Sequence, residues 1–192
     1  MKRNRLEAFS DGVLAIIITI MVLEIKVPHG DSFSALLPLL GVFISYVLSF
    51  VYLGIYWNNH HHMLHSVERV TGPIMWANLH LLFWLSLIPF ATGWMGENHF
   101  APAPTALYGA VLFMAGIAYL VLQQRIIASQ GEDSALGKAV ARDWKGKVSA
   151  GVYAASILIA LKFHWIALGL YVFVAVLWLV PDRRAENALR ES

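Results

Sequence analysis

From Ser32 to Asn59 the chain runs without one acidic or basic side chain, and apolar residues dominate throughout. That stretch limits the possible folds more than any other feature. A helix needs about 20 mostly apolar residues to cross the hydrocarbon core of a bilayer. There every backbone N–H and C=O must be satisfied within the segment itself. The pattern recurs along the chain. Comparable runs extend from Phe9 to Val27, within Ser32 to Asn59, between Val70 and Gly96, between Ala101 and Gln124, from Trp144 to Leu161 and from Phe163 to Pro181. They predict an all-α fold, a polytopic membrane protein with six transmembrane helices over 6–27, 34–58, 72–95, 102–125, 144–161 and 163–181. All six form a single domain over 1–192. Composition agrees: 58% of residues are hydrophobic, 14% are charged and the mean hydropathy is +0.62, against about 25% charged in an ordinary soluble domain.

Six spans place both termini on one side. Of the 14 lysines and arginines, all but Lys26 and Lys162 fall on that side. The positive-inside rule therefore predicts cytoplasmic termini and a multi-pass protein of the cell membrane. Lys145, Lys147 and Lys162 flank the fifth run, where their stems can lie along it with the charges in water. Tyr56, Trp57, Trp94, Trp144 and Trp178 lie near predicted helix ends, as in an aromatic belt. The longest polar loop, IASQGEDSALGKAVARD, reads as flexible and cytoplasmic. The opening MKRNR before an apolar run resembles a secretory signal. Glu7 and Asp11 interrupt that run and no small-x-small cleavage site follows, so a retained first helix is expected. The chain shows no internal repeat.

Several function classes fall away. Without cysteine, disulfides, thiolate metal sites and cysteine nucleophiles are excluded. A net charge of +2 with no basic cluster beside stacking aromatics gives no case for nucleic acid. No serine–histidine–aspartate set, phosphate-cradling glycine loop or paired carboxylate is readable, so nothing points to an enzyme. In HHHMLH, His61 and His65 stand at i, i+4 and His62 and His65 at i, i+3, spacings that let two imidazoles share a metal from one helical face. No H-E-x-x-H is present and the nearest carboxylate, Glu68, lies beyond the cluster. A hydrogen-bonded structural cluster is the better expectation, with proton sensing as an intermediate reading. No metal site or cofactor is expected. In the third run Asn78 and His80 are polar groups in an apolar helix, where contacts with neighbouring helices usually satisfy them, and Pro89 should kink that helix.

The first helix carries charges at its mouth. Arg5, Phe9, Ser10 and Asp11 open a segment that otherwise belongs in lipid. Ser10 or Asp11 could cap backbone N–H groups. Alternatively Asp11 faces protein and pairs with Arg5 or a nearby histidine, since ionisable groups in a membrane are usually paired. Further along, Ile16, Ile20 and Leu23 share one stripe, with Thr19 beside it. Every position there is apolar, so periodicity cannot separate a packing face from a pore wall.

RLEAFSD fits the R-x-x-x-F-S-D signature of the transmembrane protein 175 family, the endolysosomal potassium channels and their prokaryotic relatives. AIIITIMVLEIKVP, YWNNHHHML and WANLHLLFWLSLIPFATGWMGE extend the likeness over the first half of the chain. The resemblance implies a homotetramer in which helix one of each subunit lines a central pore. Ile16 would form the apolar constriction, with Ile20 and Leu23 one and two turns further out. Thr19 would match a threonine linked with selectivity. The family lacks the T-V-G-Y-G carbonyl filter, as does this sequence. Arg5, Phe9, Ser10 and Asp11 would form a structural signature that aims the helix. Trp57, His60, His61, Asn78 and His80 would form a polar packing network around it. The expected function is a potassium-permeable cation channel with modest selectivity and some proton permeability. Its partners are other copies of the chain, the bilayer and permeant K+. A proton-coupled secondary transporter using Asp11 and the histidines is the alternative, weakened by the absence of paired broken helices.

Overall fold

A computed structural model describes residues 3–67, 69–131, 134–141 and 144–179. Among these the regular structure is helical: α1 (Arg3–Leu23), a 3-10 stretch (Phe33–Leu39), α2 (Leu40–His65), α3 (Gly72–Ser86), α4 (Ile88–Glu97), α5 (Pro102–Gln130), α6 (Ala135–Ala141) and α7 (Trp144–Leu179). Among the described residues five helical stretches are long and apolar enough to cross a membrane, with α3 and α4 forming one of them.

The last stretch makes two passes. Backbone geometry departs from helical at Phe163 (φ −131°, ψ 60°). Beyond it the chain returns along itself: the Trp178 indole donates to Ser149 Oγ at 2.9 Å, Lys145 Nζ donates to the Leu177 carbonyl at 3.3 Å, and the rings of Tyr153 and Tyr171 lie 6.4 Å apart. In a straight helix Ser149 and Trp178 would be about 43 Å apart. α7 is therefore an antiparallel hairpin turning at Phe163, where the sequence divides its last two runs.

Helix boundaries differ from the sequence expectation for local reasons. α1 begins at Arg3 and stops at Leu23, short of 27, as Pro28 lies ahead and Lys26 turns aside to pair with Glu97 at 2.9 Å. Pro38 lacks an N–H and crowds the preceding turn, so residues 33–39 wind as a 3-10 helix and α2 starts only at Leu40. α2 then continues past 58 to His65, taking the whole histidine cluster into its last turns. α3 breaks at Leu87, two residues before Pro89, which has no N–H to give the Leu85 carbonyl its i+4 bond, and the Leu87 N–H turns to the Leu85 and Trp84 carbonyls instead. α5 runs to Gln130 and ends at Gly131, whose φ of 95° suits a residue without Cβ. The polar loop thus begins as helix α5 and contains the short α6.

α5 is the hub, packed against α3, α4 and α7. Small residues let the backbones close: Ala115 and Ala118 are fully buried, and a Cβ on Gly109 would collide with the Tyr171 hydroxyl. α2 and α4 cross tightly at Gly96, where an added Cβ would come within 2.7 Å of Val42 Cα and also strike Ser45. Small residues at crossings are what drive helix association in lipid, where apolar burial by itself gains nothing. The hub is also stitched by hydroxyls: Ser49 Oγ lies 2.7 Å from Thr92 Oγ1 and 3.0 Å from Tyr108 OH, and Tyr52 OH donates to the Tyr171 carbonyl at 2.6 Å.

Candidate functional site

α1 has two contrasting faces. Leu6, Ser10, Leu14, Ile17 and Met21 are buried against the bundle at helical spacing. The opposite stripe holds Phe9, Gly12, Ile16, Thr19, Ile20 and Leu23, all exposed in the protomer; Ile16 is 61% exposed and Leu23 75%. Thr19 Oγ1 donates to the Ala15 carbonyl at 2.8 Å, so its lone pairs are what the hydroxyl still offers outward.

The buried face is fixed by polar contacts at its charged end. Arg3 Nη1 donates to the His65 carbonyl at 2.8 Å, Glu7 Oε1 meets His61 Nδ1 at 2.8 Å, and the Trp57 indole N–H donates to Asp11 Oδ1 at 3.1 Å. Each step of four residues up α1 matches a step of four down α2, so the rungs repeat once per turn of two antiparallel helices. A second chain runs beneath them. Ser10 Oγ donates to the Leu6 carbonyl at 2.9 Å and accepts from Asn78 Nδ2 at 3.0 Å. Asn78 Oδ1 lies 2.7 Å from His60 Nε2. An amide oxygen only accepts, so Nε2 carries the proton. Ser10, Asn78 and His60 are all buried, and together they join α1, α3 and α2.

Several residues fall elsewhere than the sequence suggested. Asp11 does not cap α1, which begins eight residues earlier, and its partner is Trp57 rather than Arg5 or a histidine. Arg5 is exposed and makes no hydrogen bond or ion pair among the described residues. Two residues from Arg3, it lies about 200° around the helix, on the stripe with Phe9 and Ile16. His80 is also exposed and accepts from the Trp84 indole at 3.0 Å on its own helix, so it stands apart from the Ser10–Asn78–His60 chain. Trp57 and His61 stack with ring centroids 6.5 Å apart. Among the described residues no group of three or more histidines and carboxylates is placed to hold a metal; Glu68 lies outside them. Arg3 and Glu7 went unrecognised in the sequence. The signal that could have found them is the i, i+4, i+8 register of Arg3, Glu7 and Asp11 against that of Trp57, His61 and His65.

Residues 5–89 match the family described as "Endosomal/lysosomal potassium channel TMEM175". Along all 192 residues the chain is 53% identical to a potassium channel of Chryseobacterium sp., covering the whole of both. It is 27% identical over 150 residues to the endosomal/lysosomal proton channel TMEM175 of Bos taurus, covering 69% of this chain and 31% of that one. The crystal structure of a lysosomal potassium-selective channel TMEM175 homolog from Chamaesiphon minutus matches with a TM-score of 0.80 at 26% identity, over 95% of this chain and 97% of that one. The family and these relatives are ion channels, not enzymes. Likeness to the Chryseobacterium channel extends through the second half, where no motif is readable, and the apolar helices make the protein a multi-pass membrane protein. With identity of that order from end to end and a shared fold, this chain belongs to the TMEM175 family.

Proposed function

We propose that the protein is a potassium-permeable cation channel of the cell membrane, with both termini cytoplasmic. Four copies surround a central axis lined by α1. The observation that carries this reading is the division of α1 into a bundle face and an apolar face that is left uncovered among the described residues. The named relatives support it: potassium channels among the prokaryotic ones and a proton channel in Bos taurus. Ile16 of each subunit forms the constriction, and Ile20 and Leu23 continue the apolar gate one and two turns further out. Thr19 presents oxygen lone pairs to a cation between those rings.

An aliphatic ring gates by dewetting, since it offers a hydrated ion no polar partner. A small opening readmits water, and K+, holding its shell less tightly than Na+, passes at lower cost. Modest selectivity follows, and protons can travel along the same water. The contacts of Arg3, Glu7, Ser10 and Asp11 with α2 and α3 set the rotation of α1 and so the aim of Ile16. No cofactor takes part.

The test is ion flux from liposomes carrying the purified protein under a K+ gradient. Passive, ionophore-like flux without a co-substrate is expected, and Ile16→Asn should wet the constriction and raise Na+ leak several-fold. Slow, saturating flux that requires a proton gradient would make the protein a transporter instead.

A further inference from the structure

Away from the exposed face of α1, a narrow crevice of about 60 Å³ opens between α2, α5 and the two legs of α7. Its walls include Tyr52, Tyr56, Gly116, Ala150, Tyr153 and Trp178. By the rise of a helix, the stretch from Gly146 to Tyr153 gives it a length of about 10 Å, starting two residues inside α7. It therefore lies within the membrane-spanning part of the bundle, at the end where Lys145 and Lys147 stand.

The wall chemistry selects an apolar occupant. Tyr52 OH donates to the Tyr171 carbonyl, Tyr119 OH to the Asn59 carbonyl and the Trp178 N–H to Ser149 Oγ. These three donors are satisfied within the protein, and the rest of the wall is mostly ring faces and aliphatic groups, with the Tyr56 hydroxyl and Asn59 its other polar members. Gly116 keeps the space open: a Cβ on it would approach only the Tyr56 hydroxyl, at 3.9 Å. Glycine in the middle of a helix is otherwise unfavourable by about 1 kcal/mol.

We propose that this crevice holds part of one acyl chain of an anionic phospholipid, whose phosphate lies at the membrane surface beside Lys145 and Lys147. Lys145, whose ammonium also donates to the Leu177 carbonyl, and the exposed Lys147 flank Gly146 at the end of this apolar slot, and basic sites between helices at a membrane face attract anionic headgroups.

The test reconstitutes the full-length protein in vesicles containing either phosphatidylglycerol or phosphatidylcholine brominated on the acyl chain, and reads quenching of tryptophan fluorescence. The signal of Trp178 is the difference between wild type and Trp178→Phe. Strong quenching of Trp178 by the brominated phosphatidylglycerol is expected, at least twofold above that by phosphatidylcholine. Gly116→Leu and Ala150→Leu fill the crevice from opposite walls, and either should abolish the difference between the two lipids. Unchanged quenching in a filled variant that elutes and melts as wild type would overturn the proposal. Equal quenching by the two lipids in wild type would overturn its anionic half. Ion flux is not the readout, so the test stands whether or not α1 lines a pore.

Discussion

Asn78 ties three helices through one side-chain amide, donating to Ser10 on α1 and accepting from His60 on α2. Substituting leucine leaves the buried His60 Nε2–H without its acceptor, at about 1–3 kcal/mol for an unsatisfied buried donor. Asn78→Leu is expected to lower the melting temperature of the detergent-purified protein accordingly. His80→Gln, on the exposed side of the same helix, should change stability by no more than about 0.5 kcal/mol. Comparable losses in the two variants would mean that His80 is also part of the packing. The sequence marked both residues as polar groups in an apolar run but could not tell them apart. Two positions are about 200° around a helix, and an α3 apolar on every side has no stripe to show which face meets the bundle. The same ambiguity exchanged Arg3 for Arg5.

At the scale of elements, the hairpin of α7 makes a sharp prediction. The chain has no native cysteine, so Ser149→Cys with Trp178→Cys supplies a clean pair of thiols. A short bismaleimide should link them within one chain and protect the segment between from separating after proteolysis. No link would mean a straight helix, with the pair about 43 Å apart. The α2–α4 crossing gives a second prediction. Gly96→Ala drives a methyl into Val42 and Ser45, and overpacking of this kind costs about 1–3 kcal/mol, measurable as a lowered melting temperature. Span number was legible because hydrophobic length is a one-dimensional property. Lys162 and Phe163 marked the turn within α7, and Pro89 the break after α3. The extension of α2 through the histidines was not legible, because polar residues read as the end of a span. Arg3 and Glu7 of another helix hold His65 and His61 in these last turns, which no local pattern reports.

For the whole molecule, the claim with most at stake is that the uncovered stripe of α1 faces an ion route. Within one protomer, Ile16 on α1 and Leu158 on α7 are both apolar and exposed, at 61% and 73%. Exposure therefore does not distinguish a pore wall from a lipid-facing wall; position on the helix that the polar rungs hold does. Ile16→Cys and Leu158→Cys can be compared directly in the cysteine-free chain, with a cationic thiol reagent applied to channels in a planar bilayer. If α1 lines the route, current through Ile16→Cys falls by most of its amplitude as the reagent attaches, and current through Leu158→Cys stays constant. Conductance unaffected at position 16, or reduced equally at 158, would place Ile16 in lipid and contradict the account.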